Sequence, residues 1–307
     1  MLFCKQVIVE QPLHITQPSQ GETAMFKKEF RYGRPFTATD EMKRSFDEAG
    51  FVIIRGLLDK DEVGKLTKSV ETNEAFSQHA FNLDDGAGRK SRMVAWDHPG
   101  SDVTGILARS ARVIKTCEKL LGDEVYHYHG KLMMKNPQSG GKFVWHQDYG
   151  YWYQNGNLFP DMMSVFVAID QCTIENGCLQ VLKGSHKCGR IDHCVVGGQT
   201  GADLERVSQL KTVCPLEYVE MEPGDALFFH ANLLHSSTAN NSDRRRWAYV
   251  MAINTKHNNP VKKHHHPQYT KLDIVDDSAL KACENYYDMT GKDFMNPATS
   301  KTIKAET

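Results

Sequence analysis

A histidine and an aspartate two residues apart, His146-Gln147-Asp148, lie in the run Phe143-Val144-Trp145-His146-Gln147-Asp148-Tyr149. They are two thirds of an oxygen-activating iron(II) site, in which two histidines and one carboxylate take one face of the metal and leave three positions open. On extended backbone, residues i and i+2 point the same way, whereas on a helix they diverge by roughly 200°. The pair therefore needs a strand, expected from Phe143 to Asp148, and the flanking Phe, Val, Trp and Tyr are types that favour one. His-x-Asp alone carries little, because such pairs more often hydrogen-bond at a surface or in a core. The third ligand decides the reading.

The chain has 14 histidines, and strand geometry selects among them. Gly224 to Ser237 reads as a strand leading to His235, and Asn240-Asn241-Ser242-Asp243 is a turn whose asparagines tolerate positive φ. A hairpin centred between Asn240 and Asn241 sets His235 opposite Arg246 and Ser237 opposite Arg244, with Arg245 facing away. Directly opposed side chains share a face, with Cβ atoms about 5 Å apart. Three open positions on iron(II) suit a keto acid chelating through its C1 carboxylate and C2 carbonyl, with dioxygen in the third. The far carboxylate of 2-oxoglutarate needs a fixed, charged fork, which Arg246 can supply while Ser237 donates a further hydrogen bond.

The elements that must position these residues are legible in outline. Residues 1–33 are mixed and polar and read as an arm. A helix from Glu41 to Ala49 has Thr37 or Thr39 as its cap and Gly50 as its stop. Phe51 to Leu58 follows as a short strand, and a second helix begins at Asp59 with Val63, Leu66 and Val70 at helical spacing. From about Glu124, strand-like segments recur: Lys131 to Lys135, Phe143 to Asp148, Met162 to Asp170, Cys178 to Leu182, Ala226 to His230 and Arg246 to Ile253. Short strands after leading helices predict a mainly β domain with helical support over 34–260, followed by an extension, 261–307, packed on or trailing from the core.

Composition excludes several classes. Lys plus Arg is 37 and Asp plus Glu is 38, a formal charge of −1, which leaves no global footprint for nucleic acid or an anionic membrane. No apolar run approaches the roughly 18 residues of a bilayer span. Without a signal-peptide core or a peroxisomal tripeptide, the expected setting is the cytoplasm. The 8 cysteines form no Cys-x-x-Cys, so reduced thiols are expected. Lys262-Lys263-His264-His265-His266 reads as a solvated basic loop, since three consecutive residues are not expected to face one metal. Oligomeric state is not encoded in any of these features.

At this point the sequence resembles the phytanoyl-CoA dioxygenase family of Fe(II)/2-oxoglutarate oxygenases. The likeness runs from Phe51-Val52-Ile53-Ile54-Arg55-Gly56 through Trp145-His146-Gln147-Asp148, Glu175-Asn176-Gly177-Cys178-Leu179, Gly184-Ser185-His186 and Pro223-Gly224-Asp225 to Arg246. It implies a double-stranded β-helix, or cupin-like jelly roll. It also implies His146, Asp148 and His235 as iron ligands, Arg246 and Ser237 as cosubstrate contacts, and a further contact from Lys135 in Lys135-Asn136-Pro137. The run Tyr149-Gly150-Tyr151-Trp152-Tyr153 is most similar to the branch of ectoine- and proline-hydroxylase-like enzymes. The resemblance further implies His129, Lys131 and Trp152 as candidate substrate contacts. His129 stands where ectoine hydroxylation uses a glutamine, which argues against ectoine itself.

The implied reaction couples oxidative decarboxylation of 2-oxoglutarate, with O2, to hydroxylation of an unactivated C–H bond in a small metabolite, amino-acid-like compounds coming first. Family halogenases replace the carboxylate ligand by a small residue, so Asp148 points to hydroxylation. The alternatives are an acyl-CoA 2-hydroxylase, which needs a basic groove for nucleotide phosphates, a catalytically silent metal-binding jelly roll, and a hydrolytic zinc site.

Overall fold

Start and stop signals in the sequence translate directly into helices. In the computed structural model, which describes residues 27–296, Thr39 caps α1 (Asp40–Ala49), its hydroxyl accepting the Met42 amide at 3.2 Å. Gly50 ends α1 at φ 84°, in the left-handed region, and a Cβ there would lie 2.5 Å from the His186 ring. Asp59 caps α2 (Lys60–Thr72) reciprocally, with the Glu62 side chain accepting the Asp59 amide. The helices α3 (Glu74–Gln78), α4 (Val103–Arg109), α5 (Ala111–Leu121) and α6 (Asp148–Trp152) follow.

The strands are β1 (Glu29–Arg31), β2 (Phe51–Arg55), β3 (Phe81–Asp84), β4 (Lys90–Asp97), β5 (Val125–Lys135), β6 (Phe143–His146), β7 (Met162–Ala168), β8 (Leu179–Leu182), β9 (His193–Val196), β10 (Gln199–Ala202), β11 (Leu216–Val219), β12 (Ala226–His230), β13 (His235–Ser237), β14 (Arg246–Thr255) and β15 (Asp293–Phe294). The large sheet runs β1-β2-β12-β7-β14-β5-β4-β15 with β3 paired to β4, the small sheet runs β11-β8-β13-β6, and β9 with β10 forms a hairpin. The result is the mainly β, helix-supported jelly roll expected. Part of the expected arm, residues 1–26, lies outside the described residues, as do residues 297–307 of the extension. Glu29–Arg31, placed by the sequence reading in the arm, instead pairs in parallel with β2.

Period-two alternation sorts every central strand between two cores. Phe51 and Ile53, Leu227 and Phe229, and Ala248 and Val250 face the small sheet and pack against Leu179 and Val181. Val52 and Ile54, Phe228, and Tyr249 and Met251 turn to the helices and meet Met42, Phe46, Leu66 and Val113. Both faces are covered, so these strands read as unbroken apolar runs rather than as alternating ones.

The expected hairpin between His235 and Arg246 does not form. β13 pairs with β6 and β8, while β14 pairs with β5 and β7, so the intervening turn carries the chain from one sheet to the other. The Asn240 side chain explains how this turn dispenses with a ladder. Its amide donates to the Arg244 carbonyl at 2.7 Å, and its oxygen accepts the Ser242 amide at 2.9 Å and the Ser242 hydroxyl at 2.8 Å.

Gly130 sits between His129 and Lys131 on β5, directly opposite Trp96. A Cβ there would come within 2.7 Å of the Trp96 ring, which is fully buried and stacked on Tyr249 at 5.6 Å. Gly130→Ala is therefore expected to cost about 1–3 kcal/mol through overpacking. A lower urea midpoint at unchanged slope would show it, whereas a wild-type midpoint would refute the clash.

Candidate active site

Backbone pairing brings the two histidines together. His146, the last residue of β6, is the cross-strand partner of His235, the first of β13, and their ring centroids are 4.1 Å apart. The strand ends at His146 rather than at the expected Asp148, which opens α6. Gln147 nevertheless remains extended, at φ −110° and ψ 136°, so the i, i+2 relation holds for one residue past the ladder. The Gln147 amide points the other way and is fully used: its nitrogen donates to the Gly189 and Asn232 carbonyls at 2.8 Å each, and its oxygen accepts the Ile191 amide at 2.7 Å.

Each imidazole is oriented through its Nδ1. That atom lies 2.7 Å from the Val144 carbonyl in His146 and 3.0 Å from the Leu233 carbonyl in His235. A carbonyl only accepts, so Nδ1 carries the proton and the Nε2 lone pair is left to bind a metal. Burial lowers the pKa of both rings, and His235 lowers that of His146 further, favouring the neutral, ligating form. For Asp148, burial pushes the carboxyl up, but Lys131, the two imidazoles and the Ser164 hydroxyl together outweigh it and leave it below the usual range. Ser164 donates to Asp148 Oδ2 at 2.6 Å. Ligand atoms of His146, Asp148 and His235 lie within 4.8 Å of one another, a spacing that suits a facial set on one cation.

A second cluster lies on the large sheet. Arg246 is paired with Lys135 across β14 and β5, and it shares with Ala248 and Val250 the face turned to the small sheet. Lys135 donates to Ser237 Oγ at 2.8 Å and to the Thr238 carbonyl. Arg246 Nη2 donates to the Gly177 carbonyl at 3.1 Å, and its buried Nε has no partner among the described residues. Gly177 sits at φ 79°, where a Cβ would lie 2.3 Å from the Thr238 carbonyl oxygen, so only glycine permits this approach. Burial, reinforced by Arg246, holds the Lys135 ammonium well below its ordinary range. Among the described residues neither cation is in an ion pair with a carboxylate. Two buried cations side by side are costly unless an anion joins them.

Ser237 faces Phe143 and Leu179 rather than Arg244, while Arg244 is exposed and bonded to Gln171. Arg246 thus reaches the site across the gap between sheets, not across a hairpin. A cavity of about 350 Å³ joins the three candidate ligands to Arg246 and Ser237, and extends past them to His129, Lys131, Trp152 and His266. Trp152 is 2% exposed, yet it also walls this cavity.

Two participants escaped the sequence reading. Ser164 is the single polar residue in the buried run Met162–Ala168, and that interruption was a usable signal. His266 belongs to the stretch expected to be solvated; Lys262, Lys263 and His265 are exposed, but His266 is buried and its Nδ1 lies 3.0 Å from Asp97 Oδ1. The ligand nitrogens of His264, His265 and His266 also lie within 4.8 Å of one another, because the backbone there is irregular. This corrects an expectation that considered only strands and helices.

Removing the Ser164 hydroxyl frees the carboxylate it orients. Ser164→Ala is expected to weaken divalent-metal binding about 10–100-fold, measured by anaerobic metal titration. Unchanged affinity would show that Asp148 is positioned without it.

Among the described residues no helix is long and apolar enough to cross a membrane. The family model for phytanoyl-CoA dioxygenase (PhyH) matches residues 46–248. An L-proline trans-4-hydroxylase of Streptomyces griseoviridis is 27% identical over 237 residues, covering 72% of this chain and 88% of the relative. An ectoine dioxygenase of Bordetella bronchiseptica is 26% identical over 245 residues, covering 71% and 77%. In fold, the chain is similar to the crystal structure of EctD from S. alaskensis with 2-oxoglutarate and 5-hydroxyectoine, at a TM-score of 0.65 and 21% identity, covering 82% of this chain and 92% of that one. The family model spans most of the chain and takes in every candidate ligand, so this protein belongs to the phytanoyl-CoA dioxygenase family and is a non-haem iron, 2-oxoglutarate-dependent dioxygenase.

Proposed function

We propose that this dioxygenase hydroxylates an unactivated C–H bond of a small, amino-acid-like metabolite, using His146, Asp148 and His235 to hold Fe(II) and Arg246, Ser237 and Lys135 to hold 2-oxoglutarate. The observation that carries this reading is the buried Arg246, which among the described residues has no carboxylate partner and lines the same cavity as a three-ligand cluster, with Lys135 paired beside it. When bound, Fe(II) and 2-oxoglutarate supply dioxygen activation, with 2-oxoglutarate oxidised to succinate and CO2.

The chain's own residues bind, orient and exclude water. The Arg246 guanidinium offers a planar fork to the C5 carboxylate, and Ser237 and Lys135 offer further donors beside it. Phe166, Leu179 and Val250 make this end of the cavity apolar. His129, Lys131 and Trp152 line the part left for substrate. A cavity of about 350 Å³ is near the lower end of the range for small-ligand sites, which favours a small metabolite over an acyl-CoA. The names of the relatives, L-proline trans-4-hydroxylase and ectoine dioxygenase, agree with that class. A cytoplasmic setting is supported by seven free cysteines among the described residues.

Anaerobic addition of Fe(II) and 2-oxoglutarate should produce a visible charge-transfer band. Oxygen should then release succinate, stimulated by one class within a panel of amino acids, betaines and acyl-CoAs. Absence of both band and succinate would end the oxygenase assignment of these residues. His235→Ala should abolish iron-dependent turnover. Arg246→Ala should weaken 2-oxoglutarate binding by about 2–5 kcal/mol, at least ~30-fold, and wild-type affinity would remove Arg246 from the cosubstrate site.

A pH dependence follows from Lys135, whose ammonium is depressed in the free protein and restored by a bound carboxylate. Above the free-state value, binding takes up a proton, so affinity for 2-oxoglutarate should fall as pH rises. Dissociation constants between about pH 6 and 9 test this. Lys135→Met should flatten the slope, and an equal slope in the variant would assign the proton elsewhere.

A further inference from the structure

Away from Arg246, the cavity carries polar groups that its own walls leave unused. His129 is 3% exposed, and among the described residues neither ring nitrogen has a hydrogen-bond partner. His266 is equally buried; Asp97 takes its Nδ1 at 3.0 Å, and its Nε2 has no partner among the described residues. The two rings stack with centroids 4.9 Å apart at 27°. Lys131, which shares the His129 face of β5, rests 6.0 Å above the Trp152 ring and is in no ion pair among the described residues. Buried nitrogens left unbonded in a folded protein call for a ligand or water to complete them.

The charge balance indicates which ligand. Among the described residues, the acidic ones lining the cavity are Asp148 and Asp84. Asp148 belongs to the candidate metal set, and Asp84 is exposed, with its Oδ1 accepting the Gly86 amide at 2.8 Å. Asp97, on β4, holds His266 through its carboxylate. An anion at His266 Nε2, with Asp97 on the opposite nitrogen, would favour an imidazolium that donates from both sides. Lys131 and Lys135 are four residues apart on β5, about 13 Å along the strand, so this basic group is separate from the one assigned to 2-oxoglutarate.

We infer that His266, carried in by the segment after residue 260, joins His129 and Lys131 in an oxyanion subsite that binds a carboxylate of the substrate. The inference rests on the oxygenase reading above and narrows it: the hydroxylated metabolite is a carboxylic acid, held by this group so that another carbon faces the candidate metal site. His266 is a specificity residue supplied by a part of the chain that the family model, ending at residue 248, does not include.

Acetate is a sufficient probe, with acetamide as its uncharged counterpart. The full-length protein loaded with Zn(II), which is diamagnetic, and saturating 2-oxoglutarate is titrated with each while imidazole nitrogen signals are followed by NMR. His129→Gln and His266→Gln assign the two rings. Acetate should shift both signals saturably, acetamide should shift neither, and His266→Gln should weaken acetate binding about tenfold or more, as expected for losing a charge-assisted hydrogen bond. Silence of both rings, equal binding of acetamide, or unchanged acetate affinity in His266→Gln would overturn the subsite. The wild-type comparison stands even if the variant does not fold. Failure of 2-oxoglutarate to bind would overturn the oxygenase reading and this inference with it, whereas cosubstrate binding without an acetate response overturns the inference alone.

Discussion

Side-chain alternation on the large sheet is the constraint from which the site follows. Each central strand has one face against the helices and one against the small sheet, and the candidate site residues that this sheet carries are on the second. Arg246 shares that face with Ala248 and Val250, and Lys131 and Lys135 share it with Met133. Shifting β14 by one residue against β5 would turn Arg246 toward the helices and bring Trp247 inward. The apolar pattern forbids this, because Tyr249 and Met251 would have to exchange places with Ala248 and Val250 in cores of different depth. Packing energy therefore holds the register, and the register holds the cations in place.

The small sheet does the complementary work at lower apolar content. β13 is three residues long and is held between β6 and β8, which places His235 beside His146 without a long strand. Polar groups around the site orient it: the Val144 and Leu233 carbonyls fix the ring tautomers, Ser164 fixes the carboxylate, and Ser185 accepts the Leu234 amide at 2.9 Å, next to His235. Such outer contacts set a ligand's orientation before any metal arrives. The opposite holds for Arg246 and His129, whose buried nitrogens are under-satisfied among the described residues. Orientation is complete where a cation is expected, and hydrogen bonding is incomplete where anions are expected.

Much of this was legible beforehand because it depends on local chemistry. Thr39, Gly50 and Asp59 act at the helix ends where their side chains and backbone freedom predict. The i, i+2 relation of His146 and Asp148 survived even though the strand stops short, since it needs only that Gln147 be extended. The hairpin was illegible for a definite reason. Asn240-Asn241-Ser242-Asp243 has the composition of a hairpin turn, but Asn240 satisfies the local backbone itself and removes the need for the flanking strands to pair. Arg246 came to the correct cavity because both routes preserve parity on its own strand. His266 was illegible because its burial depends on Asp97, 169 residues away in the chain.

The sequence by itself determined the types of group available, their spacing along each strand, the ends of the helices and, through the combination of motifs, the family and its cosubstrate chemistry. Tertiary structure alone decided which strands pair, that Arg246 meets Ser237 and Lys135 across two sheets, and that a histidine from the C-terminal extension enters the cavity. The division has a physical basis. Alternation and capping act over a few residues and leave a mark in composition, whereas the choice between a hairpin partner and a facing sheet is made by long-range packing, which buries the same residues in either arrangement.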